Sequence, residues 1–149
     1  MYQYSKMNRF IKAQNKVYDT VCKELSEGKK ATHWMWFIFP QHRKLGKSHR
    51  SKIYGLRSAT EVWRYLQDPL LHGRFLECVG LILRIDAYDL PDVFSSLDYQ
   101  KLQSSLTLFH LGSEANTQVQ YITGVVLMKH YRGEYCQATQ ALLVKKSAA

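Results

Sequence analysis

The chain is predicted to be all-α, a single compact domain (residues 1–149) of about six to seven helices with a buried Trp-rich segment. Three features carry that prediction. Apolar residues recur at intervals of three and four through most of the 149 residues. Helix-starting signals, a Ser or Asp followed at the right offset by Glu or Pro, precede several of those stripes. The composition, 46% apolar and 22% charged, suits one hydrophobic core and is far from that of a disordered chain.

The elements follow in order. Asn8 can cap a first helix in which Phe10, Ala13, Val17, Val21 and Leu25 share one face, and Gly28 supplies its left-handed stop. The run from Thr32 to Gln41 has no amphipathic period, so it is buried on several sides, either as a short central strand or as an embedded helical turn. Pro40 pushes Phe39 toward extended geometry and ends that element. Residues 42–57 read as an exposed basic connector around Gly46, with a short helix at Ser51 to Leu56. Ser58-Ala59-Thr60-Glu61 has the form of a capping box and starts a helix over 59–67.

Asp68-Pro69 starts the next helix, because Asp68 caps it and Pro69 occupies a position whose N–H would be unpaired anyway. Leu71, Phe75, Val79, Ile82 and Ile85 form its buried stripe, and it ends near Asp86. Asp89-Leu90-Pro91 repeats the logic for a short helix through Phe94. Ser96 or Asp98 caps a helix whose stripe is Leu102, Leu106 and Phe109, closed by Gly112. A further helix from Glu114 to Tyr131 buries Ala115, Val119, Ile122, Val126 and His130, and Gly133 stops it. A last short helix spans Cys136 to Leu143, and the tail 145–149 is expected to fray.

The formal net charge of +9 is concentrated. Between Lys29 and Thr60 stand Lys29, Lys30, Arg43, Lys44, Lys47, Arg50, Lys52 and Arg57 with no Asp or Glu, while the remainder carries 13 Lys and Arg against all 12 acids. Such a field attracts phosphates, nucleic acid or acidic protein surfaces. Cys22, Cys78 and Cys136 form no CxxC or CxxH pair, so they read as reduced, buried thiols and no metal is expected. His42 and His49, seven apart with no carboxylate between them, are poor metal spacing. The longest apolar run, Trp34 to Pro40, is far below the ~20 residues of a membrane span, and the chain starts without an apolar leader, so it reads as cytoplasmic with no membrane partner. None of the motifs GxxxxGK[ST], GxGxxG, GxSxG or DFG is present, and no cofactor is called for.

The segment Lys30-Ala31-Thr32-His33-Trp34-Met35-Trp36-Phe37-Ile38-Phe39-Pro40-Gln41 resembles the signature of the bacterial family called domain of unknown function 1810, the Rv-type conserved hypothetical proteins often mislabelled calpastatin. Arg9 to Gln14, Tyr18, Leu45 to Ser48, Tyr65-Leu66, Pro69 to Leu71 and Lys101 to Phe109 resemble that family in the same order, over nearly the whole chain. The resemblance implies a compact all-α fold and no particular reaction. The chain departs from the pattern at Lys44, where a first glycine of a Gly-Leu-Gly turn is usual, and at Ser95 or Ser96, where a glycine often follows Phe94.

The candidate ligand-binding residues are Lys30, His33, Trp36, Gln41, Arg43, Lys47, Ser48, Lys101 and Ser104. Arg grips phosphate bidentately, Lys supplies a point charge, and an indole offers a flat face for a base or ring. The alternative is that Trp34 and Trp36 are core residues whose N–H groups find backbone partners, and that the lysines are solvated. His33, as an imidazole, can serve as acid or base, or can simply orient a loop. Lys101, Ser104 and Ser105 share a helix face that either lines a pocket or satisfies buried backbone. Asp98 and Glu61 are the acids to test first were there catalysis. The first functional expectation is therefore a basic, aromatic-lined pocket for a phosphorylated or nucleotide-like small molecule. The alternative is a module that binds nucleic acid or an acidic protein through 29–60, and a plain interaction protein is the third; oligomeric state is left open.

Overall fold

The computed structural model describes residues 2–148, with side chains described over 7–144. Ten α-helices are present among the described residues, and no strand beyond an isolated bridge. They are α1 (Tyr2–Asn15), α2 (Tyr18–Glu27), α3 (Met35–Ile38), α4 (His49–Tyr54), α5 (Ala59–Gln67), α6 (Pro69–Arg84), α7 (Leu90–Val93), α8 (Ser96–Gly112), α9 (Gln118–Tyr131) and α10 (Gln137–Ala148). A 3-10 turn covers Arg43–Leu45.

The count exceeds the six to seven expected because α3 and α4, one or two turns long, lie in the unperiodic Trp-rich run and in the basic connector, and because the first helix is two. It also begins at Tyr2 rather than after Asn8. Its apolar stripe runs on through Val17, but the backbone breaks at Lys16-Val17. The break lies where distant groups seize the end of α1. Buried Gln14 donates to the Phe37 carbonyl at 2.8 Å and to the Tyr65 hydroxyl at 3.0 Å, and Arg74 donates to Asn15 Oδ1 at 2.8 Å. Gly28, at φ 74°, ends α2 as expected.

The Trp-rich run is the helical alternative, not the strand: α3 is one turn with all four residues buried. Trp34 packs on Phe39, Phe39 on Phe75, and Phe75 stacks on Phe109 with ring centroids 4.1 Å apart. Tyr65 meets Phe109 edge-on and Phe10 meets Tyr65, so one aromatic ladder ties α1, α3, α5, α6 and α8 together. Those rings belong to a single hydrophobic cluster. Within it α8 packs against α3, α5, α7, α9 and α10.

Two of the expected caps form, while Asp89, expected to cap α7 as Asp68 caps α6, makes no side-chain cap bond. Ser58 Oγ accepts from Glu61 N, and Asp68 Oδ1 accepts from Leu70 N and Leu71 N. Three helix starts move from the expected places. Ser48 caps α4, Ser95 rather than Ser96 or Asp98 caps α8, and Thr117 caps α9, which leaves Ala115 exposed before the helix. A serine at 95 thus does work that a glycine lacks the oxygen to do. The helical backbone of α10 runs to Ala148, past the expected end at Leu143 and through most of the tail expected to fray; Ala149 lies outside the described residues.

Candidate functional site

The walls of the site come from two segments that local sequence keeps rigid. The first leaves α3 through Phe39-Pro40 and doubles back: Arg43 N donates to Leu56 O at 2.7 Å and Leu56 N to Gln41 O at 2.9 Å, a parallel bridge around His42 and Leu56. His42 Nδ1 accepts from Lys44 N, and Ser51 Oγ donates to Ser48 O. Lys44 is not among the described residues with positive φ, so the turn works without a glycine there. Gly46 is different. Its backbone is extended, at φ −122°, and its need is for space: a Cβ would lie 2.6 Å from Ser51 Cβ and 2.9 Å from Trp36 Cζ2. The expected exposed connector is therefore tightly folded, with His42, Ser51, Gly55 and Leu56 buried.

The second wall is the start of α8. Leu97, Gln100, Lys101 and Ser104 fall at helical spacing and so share a face. Between that face and Leu45, Gly46, Lys47 and Ser48 lies a cleft of about 350 Å³, with Trp36 and Gln41 also lining it. Six of the nine candidate residues meet here: Trp36, Gln41, Lys47, Ser48, Lys101 and Ser104.

Three do not. Lys30, its side chain only 5% exposed, is held by Asp98 Oδ2 at 2.9 Å and the Thr32 carbonyl at 2.6 Å, with its ammonium over the Trp34 ring. It pins the loop to α8 rather than facing the cleft. His33 is exposed and does not line the cleft. Arg43, half-buried, is felt electrostatically at Arg9 together with Arg57 and Glu61, and is not part of the cleft wall. Of the two acids singled out, Glu61 accepts the Arg57 amide, while Asp98 is engaged by Lys30.

Lys101 stands 3.7 Å from Asp98 Oδ1, farther than Lys30, and its side chain is 28% exposed. One carboxylate thus faces two ammonium groups, and Lys101 carries the charge left over. Trp34 is fully buried, with its indole N–H given to a side chain, Glu24, rather than to backbone. Trp36 is 7% exposed, so it lends the cleft an edge and not a broad stacking face.

Gln41 supplies the site's unmet chemistry. It is 2% exposed, and its Nε2 has no hydrogen-bond partner. Leaving such a donor dry and unpaired is costly. Of the four buried side chains with an unpartnered atom among the described residues, Gln41 alone lines any of the three hollows described here.

Two larger hollows were not anticipated. One of about 680 Å³ runs between the ends of α2 and α6 and α7, and Glu27, Asp86, Asp89 and Asp92 make it acidic despite Arg84. A shallow one of about 770 Å³ lies along α9 beside His110, Tyr121 and Met128. Among the described residues no group of three or more His, Cys, Asp or Glu could hold a metal ion, and no helix is long and apolar enough to cross a membrane. Sequence reasoning missed Leu45, Gly46, Leu97 and Gln100 in the cleft. Leu97 and Gln100 were detectable, since they precede Lys101 and Ser104 on the same helical face; the contact of that face with 45–48 was not.

No match was found among curated proteins. The crystal structure of the conserved hypothetical protein Rv1873 from Mycobacterium tuberculosis is similar, with a TM-score of 0.86 and 40% identity over 93% of this chain and 96% of that one. The sequence matches the family described as Protein of unknown function (DUF1810) over residues 4–143, a span that includes both cleft walls and every element from α2 to α9. The resemblance first carried by the Trp-rich string thus extends across the whole scaffold, and the chain belongs to the DUF1810 family.

Proposed function

We propose that the cleft between α8 and the 45–48 segment binds a small phosphorylated ligand. The observation that carries this reading is the buried, unpartnered Nε2 of Gln41 in a cleft bordered by Lys47 and Lys101. An amide donor, two ammonium groups and the hydroxyls of Ser48 and Ser104 all suit oxygen acceptors bearing negative charge. At about 350 Å³ the cleft is near the small end of ligand pockets, which favours a sugar phosphate or a mononucleotide over a dinucleotide. The near-complete burial of Trp36 makes the phosphate, rather than a stacked base, the recognised part.

A thermal-shift series with inorganic pyrophosphate, sugar phosphates, mononucleotides and NAD-related compounds tests it. Binding at a hundred times Kd adds about 2.7 kcal/mol to the native state, so a rise of several degrees is expected for at least one class. A melting temperature unmoved across the series at millimolar ligand removes this reading.

A second reading is supported by the exposure of Lys29, Lys44, Lys47, Arg50, Lys52 and Arg57 in a stretch without acids. Those charges suit direct binding of nucleic acid, with log K falling linearly in log salt. No binding of a fluorescent oligonucleotide at about 50 mM salt eliminates it.

A further inference from the structure

Ser104 belongs to two environments at once. It lines the cleft, and its hydroxyl lies 3.1 Å from the Gln100 carbonyl oxygen and 3.3 Å from Cys136 Sγ. A hydroxyl has one proton to donate. Two acceptors already share it, and an oxyanion in the cleft would be a third.

Cys136 is placed to feel that competition. Its carbonyl accepts the first bond of α10 from Gln140 at 3.0 Å, and its own amide donates to Thr107 Oγ1 at 2.9 Å, so the sulfur is anchored at the helix start. Burial pushes its thiol up, but the Ser104 hydroxyl, then the Thr139 side chain and the backbone amides of Thr139 and Ala138, outweigh burial and hold it below the ordinary thiol range. Cys22 and Cys78 go the other way, both raised by burial, Cys78 to about 12. Cys136 is also half-buried rather than sealed, as a reagent requires.

We propose that the cleft and Cys136 are a linked pair, in which an anion bound in the cleft takes the Ser104 proton away from the Cys136 sulfur and quiets that thiol. The inference rests on the reading of the cleft as an anion site, for which the unpartnered Gln41 amide is the independent observation. Two effects act in the same direction. The thiolate loses a donor, and it gains a negative neighbour across one hydroxyl. Linkage makes the effect reciprocal: the Cys136 thiolate lowers the cleft's affinity for the anion by the same factor.

Iodoacetamide alkylation of the intact wild-type protein, read by peptide mass spectrometry at Cys136 separately from Cys22 and Cys78, tests the linkage. The probe is inorganic pyrophosphate at millimolar concentration, against chloride of equal ionic strength. Loss of one hydrogen bond to a charged sulfur lowers the thiolate fraction about tenfold, and the greater nucleophilicity of a more basic thiol returns part of that, leaving alkylation roughly threefold slower. Ser104→Ala is expected to alkylate at the slow rate without probe and to ignore it, and Ser104→Thr to restore both behaviours. Protection that persists in Ser104→Ala is steric and overturns the proposal. So does a pyrophosphate-induced rise in melting temperature with an unchanged alkylation rate, which leaves the anion site standing; absence of both effects overturns the two together. If the variants fail to fold, the pH profile of wild-type alkylation decides: a midpoint moved to higher pH by pyrophosphate supports the linkage, and an unmoved midpoint with a lower plateau is steric cover and overturns it.

Discussion

The Glu24 carboxylate at the end of α2 accepts the indole N–H of Trp34 at 2.9 Å, inside the protein. The same side chain takes the amides of Ala31 at 3.0 Å and Thr32 at 3.2 Å and the Thr32 hydroxyl at 2.8 Å. One buried charge thereby fastens the loop that delivers α3 to the core. Burial alone would raise this carboxyl, but the donors from Trp34, Thr32 and Ala31 together hold it below the usual carboxylate range.

Glu24→Gln keeps the shape and turns one acceptor into a donor aimed at donors. Urea unfolding at neutral pH is expected to show a loss of about 2 kcal/mol. Because the native carboxyl titrates below its unfolded value, its contribution is complete above about pH 4.5 and is lost as pH falls through the native value. Unfolding curves measured below pH 5 should therefore show less acid sensitivity in Glu24→Gln than in the wild type.

His130 sets a second pH dependence. It is buried, Nε2 donates to the Ile82 carbonyl at 3.1 Å, and Nδ1 has no partner. Burial lowers its pKa, with Lys129 adding to the effect while the Ile82 bond and Asp86 oppose it. Its contribution is whole above about pH 6.5 and declines as pH drops through the native value, because the unfolded chain takes up the proton first. In His130→Gln the decline of stability from pH 7 to 5.5 is expected to be shallower; equal slopes in the two proteins contradict this.

Gln41 separates binding from stability. Replacing it with Met, of similar volume, removes an unpaired buried donor, so the melting temperature is expected to hold or to rise, by up to about 1 kcal/mol of stability. The same change should abolish the ligand-induced thermal shift. A destabilisation beyond 1 kcal/mol would mean that the amide serves the fold instead.

Lys30 and Lys101 share Asp98 and should behave oppositely. Lys30→Ala removes a nearly buried ammonium from Asp98 and the Thr32 carbonyl, and is expected to cost about 2 kcal/mol in denaturant unfolding with ligand affinity little changed. Lys101→Ala, more exposed and farther from the carboxylate, should leave stability within ±0.5 kcal/mol and weaken phosphate binding roughly tenfold by calorimetric titration.

How far each feature was legible follows from how local its cause is. Ser58 and Asp68 cap amides two and three residues on, and α5 and α6 start where the sequence says. Lys101 and Ser104 share a face because 3.6 residues make a turn, whatever lies opposite. The Trp34 to Pro40 run was ambiguous for a physical reason: buried on every side, it has no polar face to reveal a period. The expected single helix through Val17 failed because its apolar stripe continues across the break, whereas the groups at the break, Tyr65 and Arg74, lie 51 to 60 residues away.

Helix type, capping chemistry and the concentration of cations were thus determined by neighbours along the chain, through hydrogen bonds and periodicities of a few residues. Tertiary packing alone decided that Lys30 is a pin and Lys101 a cleft residue, that Trp34 is core, and that Gln41 faces α8 across a cavity without a partner. The reason is the range of the interactions. A cap is satisfied within one turn, but a buried donor is satisfied or orphaned by segments that meet only when the core closes.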